Sequence, residues 1–387
     1  MDQPRRIALL GGGQLGRMFI ENALRYGVEV HVLDPDPRCP CATLATRFVQ
    51  GKFSDRDTVL CFAAGAEVVG IEIEHVSVEA LEVLERQGKT VIPSAAVLRT
   101  IQDKGLQKEF YARHGLPSAP FKLIDHADEI QAHPALLPAF LKTRTGGYDG
   151  KGVAPVDAGT GAAADLNGPF VLERRIPIAK ELAVIAVVGA DGRTTAYDPV
   201  EMVFDPVLNL VDTLLAPARC GDPVAKRAKE LAVRVAEAFG SPGIYAVEMF
   251  LTPEGELLVN ETAPRAHNSG HFTIEACASS QYDQLLRAYM NWPSGDARMH
   301  GEAAMVNLVG EGGNGIPVLQ GAEHMLQVPG TFVHLYGKAE TRTGRKMGHV
   351  TVVAPTKEEV DQAVEIVKAH GKVVPMSAAI TSKRPMQ

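Results

Sequence analysis

The first hundred residues constrain the fold most. Short runs rich in apolar residues recur at Ile7–Leu10, Val28–Leu33, Val68–Ile73 and Val91–Ile92, and segments with helical spacing fill the gaps. Strands that are apolar throughout are buried on both faces, and strands that alternate with helices pair in parallel. This stretch therefore predicts a parallel sheet covered on both sides. Ser54 reads as the N-cap of a helix over 55–64, with Asp55 and Asp57 in its first turn. Ser77 caps a further helix, which stops near Gly88.

The pattern changes beyond it. Residues 103–116 read as a linking helix, with Asp103 at its start and Gly115 past its end. From about 117 to 183 the strands are shorter and glycine is more frequent. A third unit begins near 184 and holds a long helix over 223–239, with Asp222 as N-cap and Pro223 at the first position. Near the C-terminus Thr356 and Glu359 form a capping box, and Val360, Ala363, Val364 and Val367 make one apolar face. A chain of 387 residues is too long for one ordinary core. Three units follow: 1–103, a Rossmann-like parallel-sheet domain; 104–183, a linking helix and small domain; and 184–387, a larger domain closed by an α+β piece.

Charge excludes some classes of function. The net charge of −7 gives no global attraction for nucleic acid or an anionic membrane. No apolar run reaches the ~18 residues needed to span a bilayer. Five cysteines form an odd, sparse set, which fits a reducing cytosol. Cys39 and Cys41 have no second Cys/His pair at finger-like spacing, so they read as incidental thiols.

Four stretches carry chemistry. Gly11-Gly12-Gly13-Gln14-Leu15-Gly16 is a glycine-rich turn between strand and helix, where backbone N–H groups and a positive helix end can meet an anion. Asp34 ends the next strand, as in dinucleotide-binding folds. The second stretch, Thr145 to Gly152, holds four glycines and Lys151. Such a flap can cover a polyphosphate with its amides. No Ser or Thr follows Gly150-Lys151, so it is not a P-loop. Lys142 stands just before it and can reach phosphates as a point charge. Third is the hairpin from Ala246 to Glu261. Counting outward from a turn at Glu254-Gly255 sets Glu248 opposite Glu261. Facing side chains lie ~5 Å apart, so two carboxylates there call for a hard cation such as Mg²⁺. A slip of one residue would turn them to different faces. The loop after this hairpin carries Arg265, His267, Asn268, Ser269 and His271, groups that bind oxyanions and move protons. The fourth is a basic turn with Lys338 and Arg345, either a phosphate clamp or a solvated loop.

Together these motifs, in this order over almost the whole chain, resemble the 5-(carboxyamino)imidazole ribonucleotide synthetases, ATP-grasp enzymes of purine biosynthesis. The stretches His267-Asn268-Ser269-Gly270-His271 and Gly344-Arg345-Lys346-Met347-Gly348-His349 favour this family over other ATP-grasp ligases. The resemblance implies an ATP-grasp fold, with a lid over ATP held between the middle and last units. It implies a cytoplasmic homodimer that uses ATP, Mg²⁺, bicarbonate and 5-aminoimidazole ribonucleotide. Bicarbonate would be activated as carboxyphosphate and its carboxyl group passed to the amine.

Residue by residue, the likeness implies that Arg99, Lys142 and the flap Gly147, Tyr148, Asp149, Gly150, Lys151, Gly152 and Val153 contact ATP. Glu173, Arg174, Arg175 and Ile176 would form the adenine hinge, and Glu181 would hold the ribose. Glu248 and Glu261 would carry Mg²⁺, with Asn260 beside them. Gln14, Leu15, Glu74, Tyr148 and Lys151 would face the nucleotide, and Lys338 and Arg345 would bind its phosphate. Arg265, His267, Asn268 and Lys151 would serve the chemistry. One position departs from the family pattern: Phe204 stands where a histidine is common and cannot donate a hydrogen bond. Rival readings are a nicotinamide-dependent oxidoreductase, a non-catalytic nucleotide-binding regulator, and an ATP-grasp ligase using formate or an amino acid.

Overall fold

The structure, a computed structural model, describes residues 6–146, 152–158 and 166–377. The first part runs β1 (Arg6–Leu10), α1 (Gln14–Leu24), β2 (Glu29–Asp34), β3 (Arg47–Gln50), α2 (Arg56–Ala63), β4 (Val68–Ile71), α3 (Val78–Arg86) and β5 (Thr90–Ile92). Its five strands pair in parallel in the order β3-β2-β1-β4-β5. The apolar runs at residues 7, 28, 68 and 91 are four of these strands. The fifth, β3, has no fully buried residue and lies at the sheet edge, so it carries no apolar signature. The cap of α2 is Asp55, not Ser54, because the Asp55 carboxylate accepts from the Thr58 amide at 2.8 Å.

Helices α4 (Ala95–Ile101) and α5 (Lys104–Arg113) lead out of this sheet. Asp103 caps α5 by accepting from the amides of Gly105 and Leu106. Next come β6 (Phe121–Ile124), β7 (Ala139–Thr143), β8 (Val153–Val156) and β9 (Phe170–Arg174), an antiparallel sheet in the order β6-β9-β7-β8.

The remainder opens with β10 (Lys180–Val188), β11 (Thr194–Ala196), β12 (Val200–Phe204) and β13 (Val211–Ala216). After α6 (Asp222–Phe239) come the hairpin β14 (Gly243–Leu251) and β15 (Leu257–Ala263), then α7 (Thr273–Ala276), α8 (Gln281–Tyr289) and β16 (Glu302–Val309). The chain ends with β17 (Pro317–Gln320), α9 (Ala322–Met325), β18 (Thr331–Leu335), β19 (Lys346–Ala354), α10 (Lys357–His370) and β20 (Lys372–Pro375). Nine of these strands form one antiparallel sheet in the order β15-β14-β10-β12-β13-β16-β19-β18, with β11 on β10. Strand β10 runs across the boundary drawn at 183–184, so this sheet takes in residues from Lys180 onward. Helix α6 starts one residue earlier than its sequence suggests: Gly221 is the N-cap, and Asp222 is the first helical residue without a side-chain capping bond. Among the described residues no helix is long and apolar enough to cross a membrane.

One apolar core ties the parallel sheet to the large antiparallel one. Met18, Phe19 and Ile20 of α1 pack with Leu285, Leu286 and Tyr289 of α8. Phe19 and Tyr289 meet edge to face at 5.4 Å. Full burial of each such side chain contributes roughly 1.5–3 kcal/mol. Six of them outweigh thermal energy many times over, so this junction belongs to the folded core. Gly70 of β4 admits the ring of Tyr289: an added Cβ would lie 2.2 Å from its hydroxyl oxygen. Gly70→Ala should therefore destabilise the protein by about 1–3 kcal/mol in chemical denaturation, as overpacked cores do. A loss under about 0.5 kcal/mol, the scale of a bland surface change, would contradict this packing.

Candidate active site

A cleft of about 460 Å³ opens where α5, the four-stranded sheet and the hairpin of β14 and β15 meet. Its walls include Lys104, Gln107 and Lys108 from α5, Lys142 from β7, Glu173 and Arg174 from β9, and Glu248, Asn260 and Glu261 from the hairpin. Ile176, Ile178 and Phe250 supply apolar surface, and Glu74, Arg265 and His267 close one end. A flat apolar patch beside a charged end suits a nucleotide, with its base on one side and its phosphates on the other.

The hairpin sets the charged end. Glu248 and Glu261 are direct partners across β14 and β15. The expected pairing is met by a route the sequence does not reveal. Near the turn, Leu251 pairs with Leu257 and Met249 with Val259. A bulge between Glu248 and Met249 then leaves Asn260 without an opposite residue and restores the Glu248–Glu261 match. A bulge sets two residues against one. Asn260 and Glu261 therefore both reach the cleft across from Glu248. Burial, then the charges of Glu261 and Glu181, raise the Glu248 carboxyl to about 8.

Cations face these carboxylates. The Lys104 ammonium lies 3.6 Å from Glu261. Behind it Glu173, almost wholly buried, bridges Lys108 at 2.5 Å and Lys142 at 2.7 Å. Burial opposes its charge, yet the two lysines together hold its carboxyl below the usual range. Burial lowers Lys108. Lys142 is thus pinned with its ammonium toward the cleft rather than waving in solvent. Arg144 makes a two-point contact with Asp103, the α5 cap, at 2.7 and 2.9 Å. This fixes α5 to the chain entering the flap.

The loop after β15 is held from behind by Gln281, fully buried at the start of α8. Its side chain accepts from the His267 amide and donates to the His267 carbonyl, both at 2.9 Å. His267 Nδ1 lies 2.8 Å from the Ser269 hydroxyl, and Nε2 lies 3.6 Å from Glu248. Burial first, then Arg265 and Lys346, push His267 down to about 3. Its imidazole is neutral at ordinary pH. Arg265 pairs with Glu74 at 2.8 Å. Asn268 instead exchanges amide hydrogen bonds with Asn307 and does not line the cleft.

Other expected residues fall elsewhere. Arg99 is a correction: it is half-exposed on α4, bonded to Glu82 at 2.5 Å, and does not line the cleft. The basic residue at that edge is Lys104. Gly147, Tyr148, Asp149, Gly150 and Lys151 lie outside the described residues. Gly152 accepts from the Thr143 amide at 2.8 Å, and Val153 lines the cleft. Arg175 turns away to Asp157 and stacks over Phe140. Glu181 pairs with Phe250 across β10 and β14, and burial raises its carboxyl. Phe204 packs against the apolar core and has no polar role.

Lys338 and Arg345 stand apart from the cleft lining. Lys338 donates to the Lys346 carbonyl at 2.6 Å and lies over the Tyr336 ring. Their turn adjoins the first domain. Arg38 pairs with Glu340, and Arg17 lies close over Gly337. The glycine-rich turn is a further correction, since its amides are not open to an outside anion. The Gly12 amide donates to Asp34 and the Leu15 amide to Glu72. Glu72 and Asp34 thereby fill the seat that a dinucleotide phosphate and ribose would need. The sequence reading also missed Lys104, Gln107 and Lys108. Their spacing of three and four on one helix face was the available signal.

Known proteins share this architecture. Residues 5–102 match the ribonucleotide synthetase preATP-grasp domain, and 109–282 match the ATP-grasp domain. Residues 303–363 match the phosphoribosylaminoimidazole carboxylase C-terminal domain. N5-carboxyaminoimidazole ribonucleotide synthase of Brucella melitensis is 35% identical over 90% of this chain and 96% of its own. The crystal structure of the Thermotoga maritima synthetase superposes with a TM-score of 0.88 and 39% identity, covering 96% of this chain and 99% of that one. The Aspergillus clavatus enzyme, solved with ADP and 5-aminoimidazole ribonucleotide, gives 0.84 and 33%, covering 95% and 100%.

Glu173→Gln should destabilise the fold by about 3–5 kcal/mol, because it leaves the buried Lys108 and the half-buried Lys142 without their counterion. Urea unfolding measures this. A change under about 1 kcal/mol would mean that the carboxylate does not hold the two lysines.

Proposed function

The chain belongs to the N5-carboxyaminoimidazole ribonucleotide synthetase family, and on that footing we propose how its residues divide the work. It is an ATP-grasp ligase of purine biosynthesis that forms N5-carboxyaminoimidazole ribonucleotide. The carboxyl source is bicarbonate, activated by the γ-phosphate of ATP as carboxyphosphate. The acceptor is the amine of 5-aminoimidazole ribonucleotide. One observation carries this reading: two facing carboxylates among lysines, with an arginine and a neutral histidine a few residues further on.

Lys104 and Lys142, with Gly152, Val153 and the flap before them, hold the polyphosphate. The hinge from Glu173 to Ile176, with Phe250, seats the adenine, and Glu181 reaches the ribose. Arg265 stabilises negative charge on the carboxyl group, as a preorganised cation does in a site shielded from water. His267, held neutral, hydrogen-bonds the amine as its nitrogen bonds to the carboxyl carbon, and the amine's proton leaves with the phosphate released from carboxyphosphate. Lys338 and Arg345 bind the phosphate of the nucleotide, supported by the contact of their turn with the first domain. A flap that closes over carboxyphosphate keeps water from destroying it.

The donor set fits Mg²⁺. Among the described residues no three His, Cys, Asp or Glu are grouped to hold an ion alone. Glu248, Glu261 and Asn260 would share it with phosphate oxygens and water, as Mg²⁺ prefers. Bound there, it would neutralise charge on the transferring phosphoryl group. Metal ligands must be deprotonated, so binding at pH 7 should expel roughly one proton per chain from Glu248. Calorimetry in buffers of different ionisation enthalpy reads this, and Glu248→Gln should abolish it. Equal heats in all buffers would count against the assignment.

Incorporation of labelled bicarbonate into the nucleotide tests the function. Glu261→Gln should lower it roughly 10²–10³-fold while the protein stays folded. Full activity in that variant would remove the metal role. Product formed from formate instead would move the chain to a different acid.

A further inference from the structure

The glycine-rich turn has the sequence of an anion seat, and the chain fills it with its own carboxylate. Glu72 directly follows β4, at the carboxyl end of the parallel sheet. Strand order reverses there between β1 and β4, the place where open α/β sheets take ligands. Its carboxylate accepts from the Leu15 amide at 3.1 Å, and the Gly13 backbone beside it also favours the charged form. Glycines make the room. A Cβ on Gly13 would lie 2.4 Å from Glu72 Oε1, and one on Gly11 would lie 3.0 Å from Oε2. Gly13 has an ordinary φ of −75°, so space and not backbone freedom requires glycine at that position.

On its other side Glu72 faces Arg265, whose charge acts on it. A void of about 10 Å³, the size of one water, lies between Glu72, Arg265 and Leu15. Burial raises the Glu72 carboxyl to about 7, against the pull of Arg265 and the two amides. A serine or asparagine would cap α1 without that desolvation cost. The charge therefore serves something beyond the cap, and Arg265, which lines the same void, is the cation it acts on.

We propose that Glu72 is a positioning residue for carboxylation. Its carboxylate fixes the start of α1, which carries Gln14 toward the nucleotide, and from across the small void its charge steadies the guanidinium of Arg265, which Glu74 grips directly. The two halves of the site thereby keep one spacing. This rests on the role given to Arg265 above.

Glu72→Gln should lower kcat roughly tenfold or more, as small misplacements do, while ATP affinity stays within about twofold. Gly13→Ala should do the same, because its methyl displaces the carboxylate. In a Glu72→Ala background, where the side chain that the methyl would strike is gone, Gly13→Ala should add little. Residues in contact show such non-additivity. Wild-type kcat in Glu72→Gln would overturn the proposal. So would equal losses from Gly13→Ala in both backgrounds. Hydrogen exchange of the Leu15 amide needs no substrate: it should quicken roughly tenfold in Glu72→Gln, and unchanged exchange would overturn the proposal too. If the wild type carboxylated nothing, the functional reading would fall, and the exchange result would still decide whether Glu72 holds the turn.

Discussion

Glu248 and Glu261 are forced together on adjacent strands, and the cleft is built around that unfavourable contact. Two like charges at cross-strand distance repel, and burial makes the repulsion worse. The chain meets this partly by letting Glu248 hold a proton and partly by setting Lys104 against Glu261. A site of this kind is poised for a divalent ion and polyphosphate, which bring the missing positive charge and the remaining ligands together.

The surrounding groups are held more firmly than their surface position suggests. Lys142 is tied to Glu173, His267 to Gln281, and Arg265 to Glu74. The first two ties run from a group facing the cleft to one rooted in a core element, and the third joins two cleft residues from different domains, as preorganised electrostatics require. The core that joins α1 to α8 supports this arrangement, because Glu74 and Arg265 come from parts of the chain far apart in sequence.

Much of this was legible in the sequence, though not always for the right reason. The parallel sheet was readable because its inner strands are rich in buried apolar residues, whereas the edge strand β3 has no such mark. Counting along the hairpin gave the correct carboxylate pair only because the bulge at Asn260 offsets a shift at the turn. Arg99 was misplaced because a lone arginine on a helix says nothing of its direction, and its partner is Glu82. The glycine-rich turn misled most. Pattern alone cannot tell glycines that admit a ligand from glycines that admit the side chain of Glu72, which lies 57 residues from Leu15.

The most direct test of the account is ADP release from Mg-ATP and bicarbonate, measured with and without 5-aminoimidazole ribonucleotide. The account predicts strong stimulation by the nucleotide and none when bicarbonate is removed. ATP binding with no response to the nucleotide would contradict it and would leave the cleft an ATP-grasp site for another acceptor.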